Sequence, residues 1–378
     1  MSQTFDCIVL GCGGFGSGAL YHLAKRGVRV LGIEQFGIAH DRGSSHGETR
    51  IIRQAYFEHP DYVPLLRRAY ELWHELEVES GRQLFHRVGM LTTGPAAGEA
   101  VPGTVRSSEL HGLPLERLTP QEARRRFPTY RVPDELSVVF EPQAGFLEVE
   151  RCVETHIQAA VQHGAIVRTE ETVQHWSCEG DTVRVRTDKG EYSAARMIVT
   201  AGAWAGRMLA DLNLPLNVVR KVVFWFPAPL RHHAADAGNC TFFFEVNGGQ
   251  FYGFPSIDGR TLKLAEHTGG ETVTDPARVD RDLHPTDLPR VADFVRSFLP
   301  ELNPQPVRHS VCMYTKTPDC HFIVDRHPHH PQIVLGAGFS GHGFKFTSSL
   351  GEVLAELAME SRSTLPVDFL SLARFGAH

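Results

Sequence analysis

The hydrophobic pattern opens with a short apolar run, Phe5 to Leu10, that ends in glycines. From Gly16 to Arg26 apolar residues recur at helical spacing, and Arg29 to Ile33 is again strand-like, which predicts a β-α-β unit. Leu65 to Ser80 and Glu150 to His163 carry the period of amphipathic helices. Pro95 to Pro133, broken by several prolines, reads as irregular apart from a basic helix near Glu122 to Arg126. Ala165 to Val173, Val183 to Thr187 and Tyr192 to Ser193 alternate as strands. The apolar strand Met197 to Thr200 then runs into the turn Ala201-Gly202-Ala203-Trp204. Aromatic-rich strands follow at Val222 to Phe226, Cys240 to Val246 and Phe251 to Phe254, before a helix over Pro289 to Leu299. The chain ends with strand Ile333 to Leu335, a glycine turn over Gly336 to Gly343, and a helix from Thr347 to Glu360.

Gly11, Gly13 and Gly16 match G-x-G-x-x-G at the first strand-to-helix turn. There, small residues let backbone N–H groups and the positive helix end approach a pyrophosphate. Glu34 closes the second strand, where a carboxylate accepts ribose hydroxyls. The second turn, with Gly338, Gly341 and Gly343, should face the same ligand, because doubly wound sheets gather ligands at the carboxyl ends of their strands. Two such turns favour FAD over a nicotinamide. The element order therefore predicts an α/β fold, with a discontinuous Rossmann-like FAD-binding domain and a β-rich substrate domain built on a mixed sheet. The first is expected from 1–90, 145–215 and 310–378, the second from 91–144 and 216–309.

Composition narrows the partners. At 378 residues the chain exceeds a usual domain of roughly 100 to 200 residues. With 42% hydrophobic and 22% charged residues it reads as globular. A net charge of -6 without a basic run argues against nucleic acid. The opening residues show no basic and apolar secretory pattern, and no apolar run reaches the roughly 18 residues of a membrane span. A cytoplasmic protein without membrane contact is expected. The seven cysteines are scattered with no CxxC pair, which indicates neither a disulfide framework nor a zinc site. His232/His233 and His327/His329/His330 lie among prolines and small residues and read as solvated loop imidazoles. No ligand set at metal spacing stands out, so no metal is expected.

Three segments carry a wider likeness: GSSHGETRIIRQAY (Gly43 to Tyr56), SVCMYTKTPDCHFIVD (Ser310 to Asp325) and GAGFSGHGFKF (Gly336 to Phe346). With YGFPS (Tyr252 to Ser256) and LKLAEHT (Leu262 to Thr268), they resemble the monomeric sarcosine oxidase and N-methyltryptophan oxidase family of flavin amine oxidases. The likeness runs over essentially the whole chain. It implies that Cys312 attaches FAD covalently, as an 8α-S-cysteinyl thioether, whereas on its own this cysteine reads as an inert core thiol. Arg53 and Lys345 match the pair that holds the substrate carboxylate, a guanidinium fork and a point charge. Lys263 resembles the lysine that activates oxygen, with Thr49 and Arg50 beside the flavin. Taken alone, alternation with Leu262 and Leu264 makes Lys263 the exposed face of a strand.

The same resemblance places His267, Tyr252 and Tyr314 in the substrate pocket and His46 near the flavin ring, where it tunes protons or serves as a core hydrogen-bond partner. Val173 joins the cofactor-binding set. The chain departs from the family pattern at Phe242-Phe243-Phe244, with Phe243 expected against the substrate, and at Glu266. The implied activity is FAD-dependent oxidation of a secondary amino acid, sarcosine or a related N-methyl amino acid. The imine product is hydrolysed to formaldehyde and the amino acid, and O2 is reduced to H2O2. A bulkier or cyclic amine (N-methyltryptophan, pipecolate, proline), a dehydrogenase that does not use O2, and a flavin-binding scaffold without turnover stay open. The partners implied are a small amino acid and O2, acting on a monomer.

Overall fold

Strand Gln3–Leu10 occupies the middle of an eight-stranded sheet, parallel to Val30–Ile33 on one side and to Glu191–Val199 on the other. A computed structural model describes residues 3–246 and 248–376. Positions 1–2 and 377–378 of the expected cofactor domain, and 247 of the expected substrate domain, lie outside them. The unbroken apolar run follows from burial on both faces, as Ile8 and Val9 are both fully inside. Glu191–Val199 pairs in parallel with Ile333–Ala337, with Leu10 opposite Val199 and Val199 opposite Leu335. The two glycine turns therefore leave one sheet at the same carboxyl edge.

Helix Gly14–Lys25 covers this sheet and packs between Val149–Gln162 and Thr347–Glu360. Gly18 makes the second contact close, since a Cβ there would sit 2.2 Å from the Thr347 carbonyl oxygen.

The second sheet has nine strands and is mixed: Thr241–Val246 runs parallel to Met90–Gly94, while the other pairings are antiparallel. Its alternation separates two environments. Phe224, Phe226, Phe242, Phe244, Leu262 and Leu264 pack against helix Pro289–Phe298, while Val223, Trp225, Phe243, Tyr252 and Ala265 face the opposite way. Strand Arg308–Lys316 pairs along its whole length with Asn217–Pro227 in this sheet, so the sheet crosses the boundary expected at 310.

Three stretches differ from the sequence pattern. Ala100–His111 is a helix inside the segment read as irregular. Pro102 falls in its first turn, where no intrahelical N–H is needed, and the Glu245 carboxylate accepts the free N–H groups of Glu99 and Ala100. Ala165 to Val173 is not one strand. Ile166–Arg168 joins the parallel sheet, and Val173–Glu179 begins a hairpin with Thr182–Thr187 across Gly180, whose φ is 59°. Thr49–Ile52, Gly145–Glu148 and Phe85–His86 form a small third sheet that the pattern did not reveal. Among the described residues, no helix is long and apolar enough to cross a membrane.

Candidate active site

A cavity of about 540 Å³ is lined at one end by the glycine turn and at the other by aromatic and cationic side chains of the second sheet. Gly11, Gly13, Glu34, Val173, Gly338, Gly341 and Gly343 all line it. Gly16 does not, but a Cβ there would lie 1.8 Å from the Gly11 carbonyl oxygen, so glycine is what lets the helix close on the turn. Glu34 is buried at its strand end, accepting the N–H groups of Cys12 at 2.9 Å and Phe36 at 3.0 Å. Gly341 has φ 85°, and a Cβ there would meet the Tyr314 ring at 2.3 Å. Two glycine-rich turns on one sheet edge, with a fixed carboxylate between them and a cavity beyond, fit an extended dinucleotide such as FAD.

Arg53 and Lys345 meet at the far wall, 4% and 5% exposed. Arg53 is not free: Nη2 donates to both oxygens of Glu58, at 2.8 and 2.6 Å, and its guanidinium lies over the rings of Tyr56 and Phe57. Lys345 Nζ donates to the His342 carbonyl at 2.7 Å. Burial, then the Arg53 charge, push Lys345 down to about 7. Burial alone would raise Glu58, but Arg53, His342 and Lys345 together outweigh it and bring the carboxyl to about 2. Glu58 and His342 line the cavity and were absent from the sequence reading; only the proximity of Glu58 to Arg53 in the chain hinted at the first.

His267, Tyr252, Tyr314 and Phe243 form the wall between these cations and the rest of the cavity. The Tyr314 hydroxyl lies 3.4 Å from His267 Nδ1 and 3.5 Å from the Tyr252 hydroxyl. Burial, then His342 and Lys221, lower His267 to about 3, so its ring is neutral at ordinary pH.

Cys312, His46, Arg50, Thr49 and Lys263 form a second group, of which Arg50 alone lines the cavity. Arg50 Nη2 donates to the Ser44 carbonyl at 2.9 Å and to Cys312 Sγ at 3.6 Å. Burial would raise the Cys312 thiol, but His46 beside it, Arg50 and Lys263 outweigh burial and bring it down to about 6. His46 is buried, and its Nε2 has no hydrogen-bond partner among the described residues. Lys263 Nζ donates to Thr49 O at 2.9 Å and Oγ1 at 3.3 Å, and lies over the Phe254 ring. The exposed strand face expected from alternation is thus incorrect: Lys263 is 3% exposed, because the other face of this strand is covered by the Gly47 to Thr49 segment. Burial, then Arg50, pull its ammonium well below the usual lysine range.

Residues 6–357 match the model of a family described as FAD dependent oxidoreductase. The chain belongs to that family. It is 41% identical to the monomeric sarcosine oxidase of Streptomyces avermitilis, over 100% of this chain and 99% of that protein. It is 37% identical to the N-methyl-L-tryptophan oxidase of Yersinia pestis, over 99% and 100%. Among solved structures, the L-proline dehydrogenase of P. horikoshii superposes with a TM-score of 0.87 at 23% identity, covering 100% and 99% of the two chains; at that identity the likeness concerns the fold. The chain is thus an FAD-dependent, sarcosine oxidase-like amine oxidase.

Most of the departures from the family pattern lie away from the pocket. Phe242 and Phe244 do not reach the pocket; both pack on Phe294, and only Phe243 turns toward His267. Glu266 faces away as well, bound to Arg290 and Thr268.

Proposed function

We propose that this oxidoreductase oxidises a secondary amino acid, sarcosine or a related N-methyl amino acid, with O2 as acceptor. We further propose that it works as a monomer carrying FAD on Cys312. The observation that carries the reading is one cavity wall bearing two buried cations, Arg53 and Lys345, beside a neutral imidazole, His267. The cations seat a carboxylate, and a neutral ring beside them accepts from an amine without adding a repelling charge. FAD, when bound, supplies the two-electron oxidation of the amine to an imine and the return of those electrons to O2.

The protein's share is binding, orientation and electrostatics. The turn at Gly11 to Gly13 and Glu34 would hold the dinucleotide end, and Gly338 to Gly343 would approach the ring end. Phe243, Tyr252 and Tyr314 exclude water around the amine. Arg50 places positive charge on the cavity wall, where it favours electron transfer to O2 by stabilising developing negative charge, with the buried Lys263 amine behind it. A thiolate at Cys312, favoured by His46 and Arg50, is the form that makes a thioether to the ring.

The test is a panel of amines followed by peroxide release. Sarcosine turnover, with formaldehyde produced, supports the reading; turnover of pipecolate or N-methyltryptophan without sarcosine overturns it. The second reading, a bulkier or cyclic amine, rests on Phe243 alone, whose ring lies 5.0 Å from Phe57. Acid precipitation tests the attachment: flavin should remain with the pellet on the peptide containing Cys312, and its complete release would refute the thioether.

A further inference from the structure

The adjacent histidines expected to be solvated loop imidazoles meet an acid from a distant part of the chain. His232 and His233 end the short turn Arg231–His233, and Glu301 follows helix Pro289–Phe298. His232 Nε2 lies 2.5 Å and His233 Nε2 3.4 Å from the same Glu301 oxygen. One ligand atom from each of the three residues falls within 4.8 Å of the others. None of them lines the cavity described above.

We propose that His232, His233 and Glu301 bind one divalent transition-metal ion of the zinc class. Two imidazoles and a carboxylate are the donor set of three-ligand zinc sites that leave a fourth position to water. Tetrahedral ligands at about 2.0–2.1 Å from a metal stand roughly 3.3 Å apart, so the His233 to Glu301 separation already suits an ion, and His232 needs only a small outward movement. The backbone is set for this. The His233 carbonyl accepts from Ser256 N at 2.8 Å and Asn239 Nδ2 at 3.0 Å, and the His232 carbonyl from Thr129 Oγ1 at 3.2 Å. On the other side, Leu302 N donates to the Leu299 carbonyl at 3.0 Å, and both leucines are buried. Rigid supports of this kind lower the ordering needed to assemble a site.

The His233 side chain is fully buried while that of Glu301 is 42% exposed, so an ion can enter from the Glu301 side. An ion here ties the loop after Asn217–Pro227 to the end of helix Pro289–Phe298, two segments of the substrate sheet's outer layer. Its consequence is stability, without a part in turnover.

The test uses tag-free holoenzyme, dialysed against chelator and titrated with zinc by calorimetry. One zinc per chain, a raised Tm with zinc, and a zinc-edge absorption spectrum showing two imidazoles support the site. His232→Ala and Glu301→Gln, both altered at solvent-accessible side chains, should lose the zinc and the Tm rise while keeping flavin content and turnover. The control variant His329→Ala/His330→Ala should keep both. Absence of zinc uptake by the wild type, uptake retained in Glu301→Gln, or uptake abolished by the control variant would each overturn the proposal.

Discussion

Glu58 sets both carboxylate oxygens on Nη2 of Arg53, so the guanidinium proposed to grip the substrate is already engaged by an acid of the protein. The substrate carboxylate and Glu58 therefore compete for one fork. Glu58→Gln should tighten binding of a simple carboxylate such as acetate, read as a lower Kd in flavin difference spectra. Arg53→Lys should weaken it by about 10- to 100-fold, the worth of a charge-assisted bidentate contact. Opposite signs are the discriminating feature, since two merely structural roles would weaken binding in both variants.

Lys345 gives that binding a pH dependence. Its ammonium is held near 7, so the cation is present below that value and is lost as pH rises through it. A carboxylate ligand keeps its charge throughout this range, and His267 and His342, near 3 and 4, stay neutral. Acetate affinity should thus fall as pH rises from 6 to 9, at up to tenfold per unit once Lys345 is deprotonated. Lys345→Met should weaken binding at pH 6 and flatten the profile. A wild-type profile flat across this range would remove Lys345 from the anion seat.

The parts of this site visible in the sequence are the local ones. A glycine turn between a strand and a helix is written in consecutive residues, so Gly11 to Gly16 and Gly336 to Gly343 could be placed at one sheet edge before any contact was known. Lys263 shows the limit: alternation set its face correctly against Leu262 and Leu264, but not what covers that face, because the cover comes from Gly47 to Thr49, far away in the chain. Phe242 to Phe244 divide between two faces for a related reason. Three identical rings in a strand cannot all face one way, and the pleat gives the pocket one of them. The helix at Ala100–His111 was hidden because its N-terminal cap is Glu245, from another strand.

Cys312 lies among positive groups, and its reactivity should follow them. Removing a cation raises the thiol and lowers the fraction present as thiolate at neutral pH. Arg50→Met and His46→Asn should each reduce the share of flavin that stays with acid-precipitated protein, the attachment rate at pH 7 falling about twofold for the first unit of upward shift and approaching tenfold for each further unit. Cys312→Ser should abolish attachment while leaving released FAD in the supernatant. Equal covalent flavin in all variants would separate the thiol's state from the attachment.

Acid stability should be set in part by two histidines outside the site. His22 and His156 are buried, and burial lowers each to about 3. Unfolded, each takes up a proton near 6.5, so both favour the folded state fully above that value and progressively less as pH falls toward 3. At pH 5 the loss is about 2 kcal/mol for each ring, as 1.36 kcal/mol accompanies each pKa unit. His156 lies 5.0 Å from Trp73, and its Nδ1 has no partner among the described residues, so an apolar ring suits the position. His156→Phe should leave Tm nearly unchanged at pH 8 and reduce the fall in Tm between pH 8 and pH 5. An equal fall in both proteins would show that acid sensitivity arises elsewhere.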